Sequence, residues 1–129
     1  MTVVTNVDTG KILIKKMKRA DTFWRRFLGL LPEKSLPADE GLLLTPCRSV
    51  HTFFMRFEID VIYLDNMGRV LAAFSHVKPW RILPFVKGVE EVLETASGTV
   101  NRTETKPGNY LNWVDETRST CHPPGGHGI

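Results

Sequence analysis

Long apolar runs are missing from this 129-residue chain. The longest, Phe27 to Leu31 and Val70 to Phe74, are five residues each, far short of a membrane-spanning helix. Cysteine is scarce: Cys47 and Cys121 alone cannot build a disulfide framework. The opening MTVVTNVDTG has no basic start followed by an apolar stretch, so it does not read as a secretory leader. A cytoplasmic location and no membrane partner are the expectation. Phosphate-cradling glycine loops and nucleophile elbows are absent too, which removes the nucleotide-binding and serine-hydrolase signatures. No internal repeat is seen.

Bulky apolar mass is there instead. Seven Phe, three Trp and two Tyr in a chain that is 42% hydrophobic can fill a real core, which excludes global disorder. The length predicts one domain. We expect a flexible stretch over 1–9, a single β-rich domain over 10–115 and a disordered Pro/Gly/His tail over 116–129. The formal charge of +3 is uneven: residues 1–36 carry eight basic and three acidic side chains. With no basic–aromatic motif beside them, Lys11, Lys15, Lys16, Lys18 and Arg19 read as the charged side of an edge strand. No specific nucleic-acid partner is expected.

Local patterns are mostly those of strands. Lys11-Ile-Leu-Ile-Lys15 places β-branched residues between charges. Phe23, Trp24, Phe27 and Leu28 follow an Asp21-Thr22 cap at the spacing of a short amphipathic helix, and Gly29 and Pro32 end it. Gly41 to Leu44 is a short apolar strand. From His51 to Tyr63 the odd positions are largely apolar, which argues for β structure with one face inward. Asp65-Asn-Met-Gly68 is a tight turn, so 60–65 and 69–77 form a hairpin. Lys78 to Pro84, with two prolines, is a loop or edge segment. Val89 to Ala96 is a strand, Ser97-Gly98 opens a short helix, and Tyr110 to Val114 is the last strand. The fold class expected is mainly β: a β-sandwich or partly closed barrel with one or two short helices.

Within the strongest β segment, Arg48, His51, Arg56 and Asp60 are the polar exceptions, and a charge there is either exposed or paired. Arg56 and Asp60, four apart, suggest an ion pair or a pocket in which arginine offers a two-pronged donor. His51 with Asp60, or with the thiol of Cys47, suggests acid–base or nucleophilic chemistry. Trp80 and Arg81, in a proline-stiffened loop, are residue types common in recognition hot spots. No metal or cofactor is expected: Cys121, His122 and His127 match no zinc spacing, and His51, His76 and Asp60 lack local ligand spacing.

Phe27-Leu-Gly-Leu-Leu31, Leu36 to Leu44, the ordered string Pro46-Cys-Arg-Ser-Val-His-Thr-Phe-Phe-Met-Arg-Phe-Glu-Ile-Asp-Val-Ile-Tyr-Leu-Asp65, Gly68-Arg-Val70 and Val92 to Gly98 together resemble the domain of unknown function 192 family. The likeness covers about residues 20–111. It implies a β-sandwich-like fold with a short helix, in bacteria and archaea, and no established activity, substrate or cofactor. Phe54 and Glu58 stand where the family often has Trp or Gly, and Pro.

Three functions follow as expectations. The first is a non-catalytic module, monomeric, binding a small polar or anionic ligand such as a saccharide through Arg48, His51, Arg56, Asp60, Trp80 and Arg81. The second is an accessory domain that docks on a protein partner. The third is a small hydrolase or lyase using a His/Asp pair.

Overall fold

The computed structural model describes residues 2–20, 36–48, 50–52, 55–115 and 120–121. In chain order the elements are β1 (Thr2–Asn6), β2 (Ile12–Ile14), β3 (Lys16–Ala20), β4 (Glu40–Leu44), β5 (Ile59–Leu64), β6 (Val70–Val77), β7 (Glu91–Ala96), α1 (Thr99–Thr103), β8 (Leu111–Asp115) and β9 (Thr120–Cys121). They form a four-stranded sheet, β2-β1-β8-β9, and a five-stranded sheet, β3-β4-β7-β5-β6. The pairs are antiparallel except β3 with β4. The fold is mainly β, two sheets with no closed barrel among the described residues.

The predicted hairpin is present as β5 and β6. Two expectations about the chain ends change. Residues 2–6 are not a flexible lead but a strand lying between β2 and β8. Val4 brings an apolar side chain to the intersheet core, and buried Asn6 ties the strand end down. The Asn6 amide donates to Thr105 Oγ1 and Asn109 Oδ1, and its oxygen accepts from the Asp8 and Thr9 N–H groups. Within the expected disordered tail, Thr120–Cys121 pairs with Val114 and Asp115; the rest of 116–129 lies outside the described residues. So does the helix expected after Asp21.

Two cores cover both faces of the five-stranded sheet. Between the sheets, Val4, Leu13, Ile14, Leu43, Ile62, Leu93, Leu111 and Trp113 pack together. On the other face Leu42, Leu44, Ile59, Val61, Tyr63 and Val92 are covered by Val50, Met55, Leu83 and Val89. All six residues of β5 are therefore buried, which corrects the expectation of a strand with one polar face. The predicted alternation does set direction: odd positions face the loop-covered core and even positions face the second sheet. Lys16, Lys18 and Arg19 lie on β3, at the edge of the sheet, where charge opposes strand-to-strand aggregation.

Candidate functional site

The sheet direction of β5 decides which predicted residues can meet. Tyr63 faces the loop-covered core, and its hydroxyl donates to the Pro84 carbonyl at 2.7 Å. Burial pushes the Tyr63 phenol above its usual value, with Cys47 adding to the rise. Asp60, on the opposite face, is fully buried. Its Oδ1 accepts the His76 N–H at 2.9 Å and its Oδ2 accepts the Val100 N–H at 2.8 Å. The carboxylate thus joins a bulge in β6 to the first turn of α1. His76 sits in that bulge with φ 53°, and the register of β5 with β6 slips between Ile59 and Val61. A left-handed backbone is costly for a residue with a side chain, and the Asp60 hydrogen bond holds it. Arg56 is exposed, and among the described residues it makes no ion pair with Asp60. Asp60 is a structural clamp, separated by the sheet from the loop that carries Trp80.

Three of the remaining candidates, His51, Trp80 and Arg81, come together around that loop. Val50–Thr52 runs antiparallel to Arg81–Leu83: the Leu83 N–H donates to Val50 O and the Thr52 N–H to Arg81 O. His51 and Ile82 form the bridge between these bonds, so their side chains share one outward face. Val50, Thr52 and Leu83 turn inward and anchor the ribbon. Thr52, which the sequence did not single out, is the hub. Its hydroxyl donates to Lys78 O at 2.7 Å and accepts the Arg81 N–H at 2.8 Å. Its carbonyl accepts the Trp80 N–H at 2.9 Å. These bonds hold Trp80 at φ 65°, with 56% of its surface in solvent. Arg81 is exposed beside it, Ile82 is 73% exposed and Phe85 64%. Arg48 is exposed too, with its guanidinium 4.0 Å from Glu90. The flanking prolines were the legible signal; the outward turn of Ile82 and Phe85 was not, because an apolar side chain next to proline reads equally as core.

Three other placements bear on chemistry. His76 Nδ1 is hydrogen-bonded to Ser97 Oγ, and Glu58 Oε1 lies 3.6 Å from the same nitrogen. A nucleophile–base–acid relay needs the hydroxyl on one ring nitrogen and the carboxylate on the other, so this exposed cluster is not a triad. His51 and Asp60 share no hydrogen bond among the described residues, since the carboxylate serves the two backbone N–H groups. Cys47 packs at the edge of the loop-covered core. Among the described residues no three His, Cys, Asp or Glu side chains group as metal ligands. Glu94 went unremarked in the sequence: it lies buried between Leu42 and Val61, and burial raises its pKa to about 7.

Similarity to known proteins agrees with this architecture. The model of the domain of unknown function 192 family, described as an uncharacterized ACR, matches residues 3–113. A UPF0127 protein of Thermococcus sibiricus is 31% identical over 95% of this chain and 82% of its own. Another from Thermococcus kodakarensis is 34% identical over 87% of this chain and 73% of its own. A solved protein of unknown function from Novosphingobium aromaticivorans superposes with a TM-score of 0.73 at 22% identity, covering 85% of this chain and 81% of that one. A second, described as a candidate transcription regulator from Sinorhizobium meliloti, gives 0.73 at 20% identity over 85% and 89% of the two chains. At such identity the structures show a shared fold alone. The stretches from Pro46 to Asp65 and Val92 to Gly98, which carried the resemblance, lie inside the matched span, and the chain belongs to the domain of unknown function 192 family.

Proposed function

We propose that the protein is a non-catalytic binding domain for an anionic ligand that also offers a flat or apolar face, and that the loop over 78–85 is its recognition surface. One observation supports this above the others: Thr52 holds Trp80 in a strained, outward conformation with Arg81 next to it. Strain of this kind costs about 1–3 kcal/mol and persists where surrounding bonds fix it, commonly at ligand clamps. The exposed indole gives a stacking face and Arg81 a planar, always-charged donor. His51 lies exposed opposite Ile82, and Arg48 and Arg56 are exposed on the same stretch of chain as His51. An acidic saccharide meets these requirements. Asp60 has no part in the surface, and with it goes the His/Asp pairing on which a hydrolase or lyase reading rests. Docking on a protein partner stays as the second reading, favoured by the exposure of Ile82 and Phe85.

The test is a backbone amide NMR titration with neutral and acidic oligosaccharides. Shifts at 48–52 and 78–85 with the acidic series, reduced by Arg81→Ala, are expected. Shifts confined to Lys11–Arg19 that vanish with salt would leave only general polyanion attraction.

A further inference from the structure

We propose that the segment from Lys78 to Lys87 is a membrane-interface loop: Trp80, Ile82 and Phe85 enter the headgroup region of an anionic bilayer, and Lys78, Arg81 and Lys87 meet its phosphates. This rests on the anionic-ligand reading above and names the ligand as a lipid surface. Three large apolar side chains, each more than half exposed, stand within six residues. Among the described residues, the other exposed large hydrophobics, Val7, Ile12, Met67 and Tyr110, lie in other segments of the chain. A saccharide's C–H face would stack on Trp80, but Ile82 and Phe85 add apolar area that a bilayer interface would remove from water.

Charge points the same way. The sequence from Lys78 to Val89 holds three cations and no carboxylate, and Lys78, Arg81 and Lys87 are exposed. Basic side chains around an apolar tip complement anionic headgroups.

Part of the loop's backbone is also suited to a less aqueous setting, where unbonded N–H groups are costly. Pro79 and Pro84 have none, and the N–H groups of Trp80, Arg81 and Leu83 are already bonded to Thr52 and Val50. The expectation of no membrane partner came from the lack of a spanning segment, and no described helix is long and apolar enough to cross a bilayer. An interfacial loop has no such length requirement.

Flotation of the full chain with phosphatidylcholine vesicles, with and without phosphatidylglycerol, tests the proposal. Binding should need phosphatidylglycerol, weaken with salt, and fall about tenfold in each of Ile82→Ser and Phe85→Ser. Both side chains are exposed, so circular dichroism of the variants should match the parent. Absence of binding to phosphatidylglycerol vesicles, or binding that ignores both substitutions, overturns it. Soluble glycerol phosphate and acidic oligosaccharides serve as the second arm: amide shifts at 78–85 without flotation would keep the anionic site and reject the membrane. No response in either arm rejects both. A dimer in sedimentation velocity that Ile82→Ser abolishes would assign the face to a second copy of the chain and overturn the membrane proposal.

Discussion

Asp60 accepts a hydrogen bond from the backbone N–H of Val100, 40 residues further along the chain, at 2.8 Å. Its other oxygen takes the His76 N–H. One buried carboxylate thereby ties strand β5, the bulge of β6 and the start of α1 into a single unit.

Asp60→Asn tests that unit. The amide has one oxygen for two donors, and its NH2 must face an N–H. With charge-assisted bonds worth about 1.5–3 kcal/mol, the loss should be about 2–4 kcal/mol in urea unfolding. Ligand-induced shifts at 80–82 should survive, because the sheet stands between Asp60 and the loop. A variant as stable as the parent would show that the clamp contributes nothing.

Thr52→Val keeps the shape and removes the hydroxyl that bridges Lys78 O and the Arg81 N–H. We expect a cost of about 1–3 kcal/mol and faster hydrogen exchange at Arg81. If exchange at Arg81 is unaltered, the hydroxyl does not hold the loop.

Glu94 makes stability depend on pH. Its carboxyl titrates near 7 in the folded protein against 4.5 for an ordinary glutamate, so the folded state favours the protonated form. The contribution is fully present below 4.5, declines as pH rises through about 7, and is then gone. The difference corresponds to about 3 kcal/mol at alkaline pH. Glu94→Gln stays neutral and should gain on the parent between pH 5 and 8 in denaturant titrations. A constant gap between the two across that range would contradict the assignment.

Gly41 is hemmed in by the core. A Cβ there would lie 2.5 Å from Ile14 Cδ1 and 3.0 Å from the Glu94 carbonyl oxygen. The carbonyl is backbone and cannot yield cheaply, so Gly41→Ala should lower stability by about 1–3 kcal/mol in thermal or urea unfolding. An unchanged midpoint would mean that β4 and β7 can separate at little cost.

Much of the fold was legible because its signals are local. The Asp65 to Gly68 turn and the apolar runs beside it specify the β5–β6 hairpin without reference to the rest of the chain. Alternation also gave the side-chain direction that separates Asp60 from Tyr63. What it could not give was the number of covered faces. A strand buried on both sides differs from a half-exposed one only in its partners, and those come from distant segments such as Val50 and Leu83. Residues 2–6 were misread for the same reason, since β1 earns its place through Leu111–Asp115. The candidate site was half visible: Trp80 and Arg81 stand out by type and by flanking prolines, while Thr52 is an ordinary threonine until the loop it holds is seen. Glu94 carries no sequence mark of its burial.

The pairing of β1 with β8 has a consequence for synthesis. Asn6 meets Asn109, 103 positions away, so the first strand leaves the ribosome long before its neighbour exists. Until β8 emerges, β1 has only the three-residue β2 to pair with, and the apolar side chains of the unfinished intersheet core remain in water. Contacts so distant in sequence slow folding and lengthen exposure to aggregation. A nascent chain halted before Leu111 is therefore the species most exposed to aggregation.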